Sequence, residues 1–349
     1  MPKILIHAGM PKAGSTALQL RFKARRSALR KLGVLYPGKI QNHNFLIADG
    51  ATVEELPRIF RQHYKSDEAA LRRDFDEFWA QILRQTASVS PDVVVMSGES
   101  LWTIDKAGAK RLKARLLEIA DEIHIVCYVR KPSDFYLSLA QQKIKASHFL
   151  PKAAGIKYKR NLEALQEMGT HLHVHAFARE NFVGGDVCLD FAERHLGDRS
   201  LLAQDEADGF GNETISAEAM AILQDYRAVA HPENATKFTK DTNSLIRGLR
   251  DLAAKDRPKL RPEIRDFIDG SSTDLVWLKD AHGVSFSDID YAKIEDAEPK
   301  AIGEVADICF VDEAKKRSLL NLILKRSLQE QAEGEPTFKT VFKSKKAKA

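Results

Sequence analysis

Three observations predict an α/β fold for this chain: a mostly parallel central sheet flanked by helices, with a helical C-terminal extension. Short runs of apolar, largely β-branched residues alternate with stretches of helical periodicity over roughly the first 210 positions. A glycine-containing loop joins the first such run to the first helical stretch. From about Gly211 onward the strand-like runs stop and helical patterns dominate. Strands that are apolar throughout and separated by helices indicate a parallel sheet covered on both faces.

Taken in order, "KILIHAG" reads as a strand closed by glycine. "STALQLRFKARRSALRKLG" then places Leu18, Phe22, Leu29 and Leu32 at helical spacing and stops at Gly33. A helix over 67–85 follows, with Leu71, Phe75, Phe78 and Ile82 as its core stripe. Next come the strand "DVVVMSGE", a helix over 106–119, the strand "EIHIVCYVR", helices over 133–145 and 160–168, the strand "HLHVHAFA" and the helix "GGDVCLDFAERHLG". The extension contains "TISAEAMAILQDYRAVA", "TNSLIRGLRDLAAK", "RPEIRDFIDG" and a last helix over 313–332. This organisation predicts an α/β core over 1–210, a helical extension over 211–335 packed on it and contributing to an acceptor site, and a basic disordered tail over 336–349.

At 349 residues, 44% hydrophobic and 30% charged, the composition is that of an ordinary globular chain. The net charge of +5 falls partly in the final "TFKTVFKSKKAKA", which leaves no basic stripe of the kind a nucleic-acid binder needs. Cys127, Cys188 and Cys309 are too scattered for a disulfide framework or a zinc site. The N-terminus has no hydrophobic stretch of signal-peptide length, and no run approaches the roughly 20 apolar residues of a membrane span. These features lead us to expect a cytoplasmic protein with no integral membrane segment.

The stretch "HAGMPKAGST", residues 7–16, is the most informative. A P-loop reads G-x-x-x-x-G-K-[ST]. Gly9 and Gly14 keep that glycine spacing, but Ser15 follows Gly14 directly and Lys12 lies two residues before it. A loop between a strand and its helix gathers unpaired N–H groups at the positive end of the helix dipole, which suits phosphate or sulfate. Ala13, Gly14, Ser15 and Thr16 would supply those groups, and the two hydroxyls can donate as well. With no ligand, the same turn would simply cap a helix. A second feature is "RKPSDFYLS", where Arg130 stands at a strand's carboxyl end and Ser138 follows on the next helix. Ligands bind at that edge of open parallel sheets, and a guanidinium with a hydroxyl suits a phosphate. On its own, it is more simply a surface arginine ahead of the helix-starting Pro132.

Together the two motifs resemble the sulfotransferases that use 3′-phosphoadenosine-5′-phosphosulfate (PAPS), in particular the bacterial sulfotransferase-like branch. "PKAGST" resembles their 5′-phosphosulfate loop, and arginine-x-proline-x5-serine, here Arg130 to Ser138, their 3′-phosphate motif. "HVHAFARENFVGGDVCLDFAERHLG" resembles their later strand and helix, so the likeness covers roughly residues 1–225. The G-x-x-G-x-x-K loop of the small-molecule branch has no clear counterpart. The resemblance implies the P-loop NTPase-like sulfotransferase fold, PAPS as donor and adenosine 3′,5′-bisphosphate as product. It also implies a Lys12 that reaches the oxygen bridging phosphorus and sulfur, and no required metal. The acceptor would be a small molecule or a carbohydrate, offering a hydroxyl or an amine.

An attacking hydroxyl needs a base. Glu99, at the carboxyl end of "VVVMSGE", is one candidate, and the alternative is a helix-start carboxylate or an arginine's partner. His43, in "QNHNFLIADG", is the rival, and the alternative is a solvated turn residue. His171, His173 and His175 share a strand face, read most simply as wet rather than as a metal site. Arg21, Lys143 and Lys145 could line an acceptor mouth or merely be solvated. Two other classes compete: a P-loop small-molecule kinase, which Ser15 at the usual lysine position disfavours, and a non-catalytic nucleotide-binding member of the fold.

Overall fold

The computed structural model describes residues 1–203, 214–233, 236–252 and 256–332. The basic segment 336–349 lies outside the described residues. In chain order the strands are β1 (Lys3–His7), β2 (Val34–Leu35), β3 (Val93–Ser97), β4 (Ile123–Val129) and β5 (His171–Ala176). The helices are α1 (Ser15–Lys31), α2 (Arg58–Tyr64), α3 (Glu68–Val89), α4 (Lys106–Leu116), α5 (Pro132–Ile144), α6 (Lys159–Met168) and α7 (Val187–Phe191). They continue with α8 (Ala217–Ala230), α9 (Lys240–Leu252), α10 (Pro262–Gly270), α11 (Asp274–His282), α12 (Val305–Ile308) and α13 (Glu313–Ala332).

The chain divides into two compact units. The first comprises Met1–Lys131, Lys157–Phe210 and Asp274–Asp288, and contains the sheet. Its strand order is β2-β3-β1-β4-β5, with every pairing parallel. The fold is thus α/β with a five-stranded all-parallel sheet. β1 lies in the middle because Ile4, Leu5 and Ile6 are fully buried, and an apolar strand of this kind needs cover on both faces. The connections from β1 lead first toward β2 and β3, then across to β4 and β5. The ends of β1, β3 and β4 therefore flank the point where the strand order reverses, the usual ligand crevice of an open sheet.

α3 begins where the Asp67 carboxylate accepts the Ala70 N–H and buries Leu71, Phe75, Trp79 and Ile82. α7 runs on into a π-turn over Ala192–Leu196 that ends at left-handed Gly197.

The second unit comprises Pro132–Ile156, Gly211–Thr273 and Ile289–Ala349. It is built from α5, α8, α9, α10, α12 and α13 around a core that includes Tyr136, Ile144, Met220, Leu223, Leu249 and Ile268. Polar groups lock its helices together. Asp269 on α10 accepts both the Ser133 N–H and the Ser133 hydroxyl at 2.8 Å, and so caps α5 from another helix. Arg227 on α8 is fully buried and donates to Thr242 Oγ1 and the Ala146 carbonyl.

Candidate active site

β1 ends at His7 and α1 starts at Ser15, and the loop between them has a specific shape. Ala13 N–H closes a turn onto the Met10 carbonyl at 3.1 Å. Lys12 then adopts φ 67° and Gly14 φ 81°, both left-handed. Glycine tolerates this freely, whereas for a lysine it costs about 1–2 kcal/mol, so something must hold the backbone there. Arg130 does so: its Nη1 donates to the Lys12 carbonyl at 2.9 Å. Arg130 is itself fixed, with its carbonyl accepting from the Tyr158 hydroxyl at 2.7 Å and its guanidinium over the Phe177 ring at 5.8 Å.

The first helical bond of α1 runs from Leu18 N–H to the Gly14 carbonyl at 3.1 Å. The N–H groups of Ser15, Thr16 and Ala17 therefore have no intrahelical acceptor, and they form the anion-attracting end of the helix. Ser15 is buried, and its hydroxyl lies close enough to the Glu99 carboxylate to lower that group's pKa. Thr16 is exposed. Glycine is needed at position 9 because Ser15 and His7 pack against it: a Cβ there would lie 2.1 Å from Ser15 Oγ and 2.7 Å from His7 Cε1. Gly14 abuts Phe177, whose ring would be 2.7 Å from an added Cβ.

Glu99 opens the short helical turn Glu99–Thr103 directly after β3. Burial raises its pKa, while the nearby Lys12 charge and then the Ser15 hydroxyl pull it back without reversing the rise. The strand ends of β1 and β3 thus bring Lys12, Ser15 and Glu99 into one electrostatic neighbourhood, and Arg130 arrives from β4.

His43 is placed elsewhere. It is fully buried, and it accepts the Ser97 N–H at Nδ1 (3.1 Å), which puts the ring proton on Nε2, facing the Pro37 carbonyl at 3.0 Å. Burial pushes its pKa down to about 4, so the ring stays neutral. Both nitrogens are committed to backbone groups, which leaves neither to take a proton from an acceptor. In place of the expected catalytic alternative, this side chain ties the 36–43 segment to β3. Replacing His43 with alanine strands two buried backbone partners and opens a cavity, so unfolding free energy should drop by about 2–4 kcal/mol. Denaturant titration checks this, and a change below about 1 kcal/mol would contradict a structural role.

His7, at the end of β1, is also buried and neutral, with its pKa lowered to about 4 by burial. Its Nδ1 meets Ser97 Oγ at 2.9 Å, and Gln19 Nε2 donates to the same hydroxyl at 3.2 Å. This buried triad, which links β1, β3 and α1 beneath the loop, was not marked in the sequence except by the polar residues interrupting apolar runs. Arg21 is buried and donates to the Leu202 carbonyl, so it lines no mouth. Lys145 is buried in the second unit, and Lys143 there donates to Thr236 Oγ1 at 2.8 Å. Ser138 lies on α5 and belongs to the second unit.

No family model, curated protein or solved structure matches this chain. The class that the structure defines is a five-stranded all-parallel α/β protein whose central strand β1 leads through a loop with left-handed Lys12 and Gly14 into α1. No described helix is long and apolar enough to cross a membrane.

Proposed function

We propose that the chain is a PAPS-dependent sulfotransferase that moves a sulfuryl group to a hydroxyl or amine, with a carbohydrate as the favoured acceptor class. One observation carries this reading: Lys12 is held left-handed in the loop after β1, with the carboxylate of Glu99 beside it. In an ATP-type loop the lysine follows the second glycine, where this chain has the buried Ser15. The fit to a phosphosulfate group rests on two local features: the first-turn N–H groups of α1, which have no intrahelical acceptor, and the placing of Lys12 in the loop that leads to them.

On this reading the α1 N-terminus and Ser15 bind the anionic donor, and Lys12 stabilises negative charge as it builds on the leaving oxygen. Glu99 accepts the acceptor's proton as the new bond to sulfur forms. Sulfuryl transfer resembles phosphoryl transfer in that the protein mainly positions reactants and balances charge. Arg130 has five N–H donors, one of which anchors the Lys12 carbonyl. The same guanidinium is assigned to the donor's 3′-phosphate.

Calorimetric titration with adenosine 3′,5′-bisphosphate, and with magnesium-ATP as comparison, tests the reading. The bisphosphate should bind at least tenfold more tightly, and transfer from labelled PAPS to a sugar acceptor should follow. A preference for magnesium-ATP, or no binding of either nucleotide, would overturn the proposal.

A further inference from the structure

The parallel register of β4 and β5 places His124 opposite His171 and Val126 opposite His173. Side chains paired in this way stand on one face, so His124 joins the row His171, His173 and His175. The face is only partly wet, because His171 is exposed while His173 and His175 are half-buried. His195, on the π-turn after α7, covers its inner end, with Nε2 at 3.0 Å from His175 Nε2. At the outer end, Glu122 precedes β4, and its carboxylate meets His124 Nε2 at 2.5 Å.

We propose that Glu122, His124 and His171 form a binding site for a divalent transition-metal ion of zinc's class. One ligand atom from each of the three lies within 4.8 Å of the others. Two imidazoles and a carboxylate are the donor types such ions take, and water would complete the shell.

The hydrogen bonds behind the cluster fix the ligand atoms. Thr170 Oγ1 donates its only proton to the Ile123 carbonyl at 2.9 Å, so toward His171 Nδ1, 3.0 Å away, it can only accept. His171 therefore carries its proton on Nδ1 and presents the Nε2 lone pair outward. His124 Nδ1 lies 2.8 Å from His173 Nε2. With its proton on Nδ1 and directed at His173, His124 presents Nε2 to the position it shares with Glu122. Histidine ligands are oriented in this way by hydrogen bonds at their second nitrogen.

Tetrahedral zinc spaces its ligand atoms by about 3.3 Å. The present Glu122–His124 contact must open slightly, and the wider spacings must close. Glu122 and His171 are both exposed and can make those side-chain rotations. Lys3 is the nearby opposing charge, since it acts on Glu122 together with His124 and His171. The site lies at the amino-terminal ends of the strands, away from the loop after β1, so it serves as a clamp between β4 and the edge strand β5.

The test is calorimetric titration of the tag-free full chain with zinc chloride at pH 7.5, repeated with cobalt(II) while its visible absorption is followed. One equivalent should bind, and cobalt should show the intense bands of a low-coordinate nitrogen and oxygen site. His124→Ala and His171→Ala should each weaken binding at least about tenfold and abolish the cobalt bands. Glu122→Gln should weaken binding less. His63→Ala, on exposed α2, should leave both readouts unchanged. Circular dichroism checks that each variant is folded, and His171, exposed on the edge strand, is the variant safest in this respect. Absence of saturable binding, or binding that His171→Ala leaves unchanged, would overturn the proposal.

Discussion

If the chain transfers sulfuryl groups as proposed, Lys12→Ala should lower turnover by about 10²–10³-fold, the usual cost of removing one preorganised charge-stabilising group. Stability should hardly change. Lys12 is half-buried in a loop, and alanine would occupy the same left-handed backbone at a similar cost. The brace from Arg130 survives because it grips the Lys12 carbonyl and not its side chain. Because the proposed role of the ammonium is to balance charge that builds during transfer, the loss should fall on kcat more than on the KM of the acceptor. A variant that retains turnover within a few-fold of the parent would remove Lys12 from the chemistry. The same variant offers a second check. Lys12 holds down the pKa of Glu99, so without it the Glu99 carboxyl should titrate at a still higher pH.

The parts of this architecture that were legible in the sequence are those encoded locally. The apolar run "KILIHAG", a glycine loop and a 3.6-residue stripe suffice to write β1, the loop and α1, and the observed elements are Lys3–His7 and Ser15–Lys31. Four of the five strands are written in the same way. β2 was not, because two residues, Val34 and Leu35, are too short to show a period, and they pair with β3 only through the register that the fold supplies. α2, α11 and α12 were missed as well, since nine residues or fewer repeat a helical stripe only once or twice. Side-chain surroundings were the least readable. His43 sits in a run of asparagine and glutamine that reads as a wet turn, yet Tyr36 packs against its ring and β3 supplies the N–H that fixes its proton. Neither contact has a local signature. The alternation of His171, His173 and His175 did reveal a shared face, but the partners His124 and Glu122 come from a strand some fifty positions away and appear only with the register. Positive φ at Lys12 is a further case, since glycine, asparagine and aspartate signal that region and a lysine does not.

Glu99→Gln should lower kcat/KM by about 10²–10⁴-fold, the range for loss of a positioned general base. It should also remove the acid limb of the pH profile. The sign follows from the environment. In the proposed mechanism the active form is the carboxylate, so activity is lost as pH falls through the pKa of Glu99. Burial raises that pKa above its ordinary value of 4.5, with Lys12 and Ser15 only partly offsetting the rise. The midpoint of the acid limb should therefore lie above 4.5, closer to neutrality, where a base combines adequate proton affinity with sufficient ionisation. The same raised pKa has the opposite sign for stability. The folded state holds the Glu99 proton more tightly than the unfolded chain does, so ionisation at neutral pH works against the fold. Glu99→Gln should accordingly be at least as stable as the parent at pH 7 while losing activity. A merely structural carboxylate, such as a cap or an arginine's partner, predicts the reverse pair of results: lower stability with activity retained in the folded fraction. Thermal unfolding and a kcat/KM profile on the same preparation separate the two, and a stable variant with an unchanged acid limb would exclude Glu99 as the base.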